Sequence, residues 1–165
     1  GGRERKKDVC YHPAEDGDSR IGEYLLGLEF RIAHGMRHGL EADEHPGGEG
    51  RDVQHLDGHG LAIVIPKWLT YILDDKTAPK IKRLGVNVFG VDPALSAMDG
   101  AKAAIEAMEK FFFNTLGLKS HLSDLGIDDK NFALMAKKAC GAKGKLEGFT
   151  TLTPADVEEI FKLSL

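Results

Sequence analysis

Apolar residues recur at intervals of three or four along most of this chain, and that spacing is the strongest constraint on its fold. The interval places apolar side chains on one face of an α-helix. The clearest helix follows Thr153 as N-cap, with Pro154 at its first position and Asp156 close to capping-box spacing. Its predicted buried residues are Val157, Ile160 and Phe161. The pattern therefore predicts an all-α fold.

Further helices are predicted wherever the spacing repeats. They span about residues 21–40, 61–73, 78–90, 105–116 and 132–139. Glycines at 90, 117 and 141 suit their ends. Leu61–Ile65 also fits a short strand, because a brief apolar run is ambiguous. The segment 41–60 is rich in Gly and charge, so a loop is predicted there. Strands and helices do not alternate as a doubly wound sheet requires.

Length and charge bound the classes of protein that this chain can represent. Its 165 residues suit one domain, and we expect an irregular segment over 1–20 followed by a helical domain over 21–165. The net charge of -4 argues against a nucleic-acid partner. The longest apolar stretch, Leu61–Ile65, is far below the ~20 residues of a membrane span. Cys10 and Cys140 form no Cys-x-x-Cys pair, so a reducing cytoplasm is the expected location.

Histidines are concentrated in one part of the chain. Five of the seven are His34, His38, His45, His55 and His59. His34 and His38 are four residues apart on a predicted helix and would share one face. That arrangement suits a metal ligand beside a proton-relay histidine. Two exposed helical histidines would give the same pattern, and Gly35 stands where a zinc protease motif has Glu.

A second histidine motif adds to the first. Gly58-His59-Gly60 directly precedes an apolar segment that contains Pro66 and Trp68. A His-x-x-x-His helix, then a His-Gly pair, then an apolar segment ending in Pro and Trp resembles the iron-containing alcohol dehydrogenases, in their butanol-dehydrogenase-like branch. Further segments in family order are Val88–Asp92, Phe111–Leu118, Leu122–Ile127 and Gly148-Phe149. The resemblance covers residues 57–165 and a separate short segment at 33–42. It implies the helical C-terminal domain of the dehydroquinate synthase-like fold, without the Rossmann-like N-terminal domain.

The resemblance implies a metal site that holds Fe²⁺ or Zn²⁺. It makes His34 and His59 metal ligands and His38 the catalytic proton relay beside the nicotinamide. Asp57 is an alternative to His59, because the family places this ligand nine residues before the proline; His55 ranks behind both. The remaining family ligands, an Asp and a His, have no clear counterpart. Asp8 and His12 have the right spacing but the wrong flanks.

The resemblance also implies hydride transfer between NAD(P)H and a primary alcohol–aldehyde pair. A G-x-G-x-x-G motif is absent from the sequence, so the isolated chain is expected to lack the nucleotide-binding domain and to be inactive. The resemblance leaves a homo-oligomer open for the full-length parent. Two rival interpretations remain. One is a lyase related to dehydroquinate synthase, and the other is an inactive truncated fragment or a non-enzymatic metal-binding helical module.

Overall fold

The computed structural model describes residues 53–165, with side chains from Gly58 onward. Its α-helices are α1 (Val53–Tyr71), α2 (Ala78–Phe89), α3 (Ala97–Glu109), α4 (Phe132–Cys140) and α5 (Pro154–Leu163). A π-helical segment, Lys110–Thr115, directly continues α3, and 3₁₀ turns occupy Leu122–Leu125, Asp129–Asn131 and Gly141–Lys143. Within this part of the chain, the only β-type pairing is a bridge between Leu146 and Leu152. The prediction of an all-α fold is confirmed.

Helix α1 lies at the centre of the core. Five consecutive residues from Ala62 to Pro66 are buried, and so are Trp68 and Leu69. A helix that is buried on all sides must be enclosed by neighbours. Here the neighbours are α3, α5 and the 3₁₀ turn at 122–125. The helix continues through Pro66, and the Thr70 hydroxyl donates to the Pro66 carbonyl at 2.9 Å. The strand alternative for Leu61–Ile65 is wrong.

Helices α2 and α3 pack closely against one another. The contact is centred on Gly85, where an added Cβ would lie 2.4 Å from the Cβ of Ala104. Helix α2 ends at Gly90 in the left-handed region, with φ of 69°. Helix α3 begins after Ser96, whose hydroxyl accepts from the Asp99 amide at 3.0 Å. Both helices therefore end or begin with the local chemistry that their sequences indicate.

Helices α4 and α5 form the second packed pair. The rings of Phe132 and Phe161 lie 5.5 Å apart between them. The capping box at the start of α5 is present: the Thr153 hydroxyl accepts from the Asp156 amide, and the Asp156 carboxylate accepts from the Thr153 amide. The residues predicted to be buried on α5 are buried to 1% exposure or less. Residues Val157, Ile160 and Phe161 form that face.

Two boundaries differ from the sequence prediction. The loop predicted over 41–60 is wrong from Val53 onward, because α1 begins there and contains Gly58 and Gly60. Glycine costs a helix up to ~1 kcal/mol per residue, but the burial of α1 outweighs that local preference. The helix predicted over 105–116 begins earlier, at Ala97, and its last part is π-helical. The segments predicted over 1–20 and 21–40, and the first part of 41–60, lie outside the described residues.

Candidate metal site

His59 lies in the second turn of α1, where the helix passes from the surface into the core. Gly58 before it is exposed, His59 is half-buried and Gly60 after it is buried. The next two turns of the helix are enclosed by α3 and α5. A ligand on such an element is held in place by the packing behind it. His59 is therefore a half-accessible imidazole on a rigid support.

The helix register separates the alternative ligands from one another. Positions 55 and 59 are one turn apart on the same side of α1, since four residues complete about one turn. Positions 57 and 59 are about 200° apart around the helix axis. Positions 55 and 59 therefore share one side of the α1 backbone, and position 57 lies on the other side.

The described residues do not by themselves fit a metal ion. Among the side chains described from Gly58 to Leu165, no group of three or more His, Cys, Asp or Glu comes together. A catalytic zinc site ordinarily takes three protein ligands and a structural site takes four. Of the predicted site residues, only His59 has a described side chain; His34, His38, Asp8 and His12 lie outside the described residues. A complete site would need donors from there or from a longer chain.

Two polar contacts hold α1 to its neighbours, and the sequence pattern did not indicate either. The Lys67 ammonium donates to the Glu109 carboxylate at 2.7 Å, which joins α1 to the end of α3. The Tyr71 hydroxyl donates to Asp156 at 2.7 Å, which joins α1 to the capping box of α5. The hydrogen bond from Thr153, and then that from Tyr71, lower the pKa of Asp156. Both pairs join residues more than forty positions apart, so no local motif marks them.

Another histidine is described, and it stands apart from α1. His121 is exposed, and its Nδ1 lies 2.9 Å from the Ser120 hydroxyl and 3.6 Å from the Asp124 carboxylate. It is a surface histidine with ordinary polar neighbours. None of the helices between 53 and 165 is long and apolar enough to cross a membrane.

The described helices pack around a central helix that carries the half-buried His59 in its second turn, and this arrangement defines a helical domain with a candidate ligand position. The family model for the C-terminal part of the Fe-containing alcohol dehydrogenases matches residues 14–165. The chain belongs to this family. The match includes His34, His38 and His59. It begins at residue 14, before the short segment at 33–42 that the sequence analysis singled out.

Three similar relatives are named as butanol dehydrogenases. NADH-dependent butanol dehydrogenase B of Clostridium acetobutylicum is 38% identical over 115 residues, which is 69% of this chain and 29% of the relative. Enzyme A of the same organism is 37% identical over 132 residues, 79% of this chain and 31% of the relative. A probable NADH-dependent butanol dehydrogenase 2 of Bacillus subtilis is 31% identical over 137 residues, 81% and 32% of the two chains. The chain thus spans about a third of the length of these curated relatives.

Proposed function

We propose that this chain is the metal-binding helical part of an iron-containing, NAD(P)H-dependent alcohol dehydrogenase that interconverts a primary alcohol and an aldehyde. The observation that carries the proposal is the family match over residues 14–165, since it includes all three candidate site histidines. Relatives whose names specify NADH-dependent butanol dehydrogenases support the reaction class.

In this proposal His34 and His59 bind the metal ion and His38 moves a proton. A bound divalent iron would act as a Lewis acid, stabilising negative charge on the substrate oxygen. The half-buried position of His59, backed by the core, suits a ligand that must keep its orientation. His38 would hold or release the hydroxyl proton, because a histidine pKa lies near neutral pH.

His59 is preferred over Asp57 because it keeps the His-Gly pair of the family resemblance. The positions face different sides of α1, so the choice between them fixes which side of the helix meets the metal ion. Position 59 adjoins the buried part of the helix, where packing restricts movement.

The second candidate function is that of a non-enzymatic or inactive metal-binding module. In this alternative the described residues supply a single candidate ligand, His59, on a packed helix, and the chain binds metal without carrying out hydride transfer. Under either function the 165 residues bind metal weakly. Two family-type ligands leave coordination positions to water, and ligand ordering opposes binding.

Metal titration of single variants tests the proposed ligands. We expect the parent chain to bind Fe²⁺ or Zn²⁺ with a Kd no tighter than roughly micromolar, and His59→Ala and His34→Ala to weaken binding at least about tenfold. The matched control is His121→Ala, which removes an exposed histidine and should leave the Kd unchanged. Asp57→Asn should also leave it unchanged.

Three outcomes would contradict these assignments. Unaltered binding in His59→Ala, with weakened binding in Asp57→Asn, would move the ligand to the other side of α1. Equal effects of His59→Ala and His121→Ala would show surface binding only. If the purified, unmutated chain held metal tightly and in stoichiometric amount, further ligands would be required. Asp8 and His12 would then be the first residues to substitute.

A further inference from the structure

The segment between α4 and α5 contains a loop that is closed at its base by the bridge between Leu146 and Leu152. The Leu146 amide donates to the Leu152 carbonyl at 2.8 Å, and the Leu152 amide donates to the Leu146 carbonyl at 2.9 Å. Both leucine side chains are buried, at 2% and 5% exposure. The residues between them, 147–151, are therefore fixed to the core at both ends. We call residues 147–151 the strap.

The middle of the strap is held by one aromatic ring. Phe149 is half-buried, and its ring packs edge-on against that of Trp68 in α1, with the two centroids 6.4 Å apart. The Lys80 ammonium, in the first turn of α2, lies 5.2 Å from the centroid of the same ring. Phe149 therefore joins the strap to both α1 and α2. The Trp68 side chain that it contacts is almost fully buried, at 3% exposure.

The outer part of the strap adds little to this attachment. Glu147 and Gly148 are exposed. The Glu147 carboxylate pairs with Lys143 at 3.3 Å and with Lys145 at 2.7 Å. Ion pairs between exposed side chains contribute little to stability, because water screens them and ordering two long side chains costs entropy. The strap thus depends mainly on Phe149 for its contact with the core between the two ends.

The hydroxyl of Thr150 opposes the closed position of the strap. Its oxygen is buried, and among the described residues it has no hydrogen-bond partner. Burying a hydroxyl without a partner costs free energy, because its hydrogen bonds to water are lost and not replaced. Those bonds would form again if the strap moved away from the core. The closed position therefore combines an apolar attachment, Phe149, with a neighbouring polar group that favours opening.

We propose that the strap opens as a unit while the rest of the domain stays folded, and that its opening exposes the ring of Trp68. The bridge breaks and Phe149 leaves Trp68, while α1 keeps its contacts with α3 and α5. The strap thereby controls the access of solvent and small solutes to the middle of α1. Trp68 lies about two and a half turns beyond His59. The inference therefore does not depend on the ligand role of His59.

Hydrogen exchange in the unmutated 165-residue chain tests local opening directly. The amides of Leu146 and Leu152 are bonded only while the bridge is closed, so both should show the same protection factor. We expect it to be at least about tenfold lower than those of the buried Ile63 and Val64 in α1, and insensitive to low guanidinium, because a local opening exposes little surface. Bridge amides as protected and as denaturant-sensitive as Ile63 and Val64 would overturn the proposal.

Two substitutions in the strap should change this exchange in opposite directions. Phe149→Ala removes the attachment and should speed exchange of the bridge amides at least about tenfold. Thr150→Val keeps the side-chain shape without the hydroxyl and should slow it at least about fivefold. The matched control is Phe113→Ala, which removes another half-buried phenylalanine that packs against the core and should leave the exchange unchanged. Equal exchange in the two alanine variants, or no slowing in Thr150→Val, would contradict the proposal.

The fluorescence of Trp68, the single tryptophan of the chain, reports the exposure of its ring. Acrylamide should quench it several-fold more efficiently in Phe149→Ala than in the unmutated chain or in Phe113→Ala, with an unchanged far-ultraviolet circular dichroism spectrum. Equal quenching in all three would show that the strap does not cover Trp68. Should Phe149→Ala fail to fold, exchange in the unmutated chain and in Thr150→Val still decides between local and global opening.

Discussion

Replacing Gly85 by alanine tests how closely α2 and α3 pack. The new Cβ would lie 2.4 Å from the Ala104 Cβ, 3.0 Å from the Ala104 Cα and 3.0 Å from Val91 Cγ2. Carbon atoms ordinarily approach to about 3.5–4.0 Å, so the first contact is short by about 1 Å or more. The Ala104 atoms belong to a backbone-fixed position and cannot rotate away. The two helices would have to separate.

The expected net effect is a loss of about 2 kcal/mol in the free energy of unfolding. Overpacking a close contact costs ~1–3 kcal/mol, and a contact with backbone atoms belongs at the upper end of that range. Alanine in place of glycine returns up to ~1 kcal/mol through its helix propensity. In a domain of this size, the melting temperature should fall by roughly 4–8 °C.

Denaturant unfolding followed by circular dichroism measures this loss. The double variant Gly85→Ala with Ala104→Gly removes the shortest contact. Its free energy of unfolding should exceed the value expected from the sum of the two single-variant changes by about 1 kcal/mol. The control Gly58→Ala changes an exposed helical glycine with no described atom within 4 Å of the new Cβ, and it should not destabilise. A Gly85→Ala variant as stable as the parent would refute the reasoning.

Three further predictions concern polar contacts and activity. Asp156→Asn should lower the stability at neutral pH and flatten its decline in acid. Hydrogen bonds from Thr153 and Tyr71 lower the folded-state pKa of Asp156. The stabilisation by this carboxylate is therefore present above the ordinary aspartate pKa and is lost as the pH falls through the folded-state value. An unchanged decline of the free energy of unfolding in acid would contradict this. A double-mutant cycle of Lys67→Met and Glu109→Gln should give a coupling below about 1 kcal/mol, because both side chains are about 30% exposed, and a larger value would show a less solvated pair. The 165-residue chain should oxidise no NADH or NADPH with butanal above the blank, since its sequence has no glycine-rich dinucleotide motif, and a steady enzyme-dependent rate would contradict that expectation.

The helices whose ends were predicted correctly from the sequence have capping residues at those ends. Thr153, Pro154 and Asp156 specify the start of α5 through their own backbone bonds, and Gly90 supplies the positive φ that ends α2. These interactions involve residues within a few positions, so one local window contains them. The buried face of α5 followed from spacing alone, since α5 is amphipathic.

The start of α1 and the π-helical segment could not be predicted in this way. Gly58 and Gly60 are glycines within a helix, and their local preference indicates a loop. The helix persists there because its later turns are enclosed by α3 and α5, which lie far along the chain. In the π-helical segment, three successive phenylalanines contain no local signal for a five-residue spacing. Contacts such as that of Phe89 with Phe111 depend on tertiary packing.

For the candidate site, sequence predicted the residue types but not their geometry. A family resemblance pointed to His59, and the structure adds its half-buried position and the helix register that separates it from Asp57. The assignments of His34, His38 and His59 stay predictions.

The burial of α1 has a consequence for the way in which its backbone opens. Amide hydrogens between Leu61 and Leu69 lie on a helix enclosed by neighbours from both packed pairs, so they should exchange with solvent only when the whole domain unfolds. The Gly58 amide lies at an exposed point of the same helix and should exchange through local fraying. His59 therefore lies between amides that exchange by local fraying and amides that exchange by global unfolding. A ligand bound there would slow exchange at the Gly58 amide, and because it stabilises the folded domain it would also slow the amides between Leu61 and Leu69.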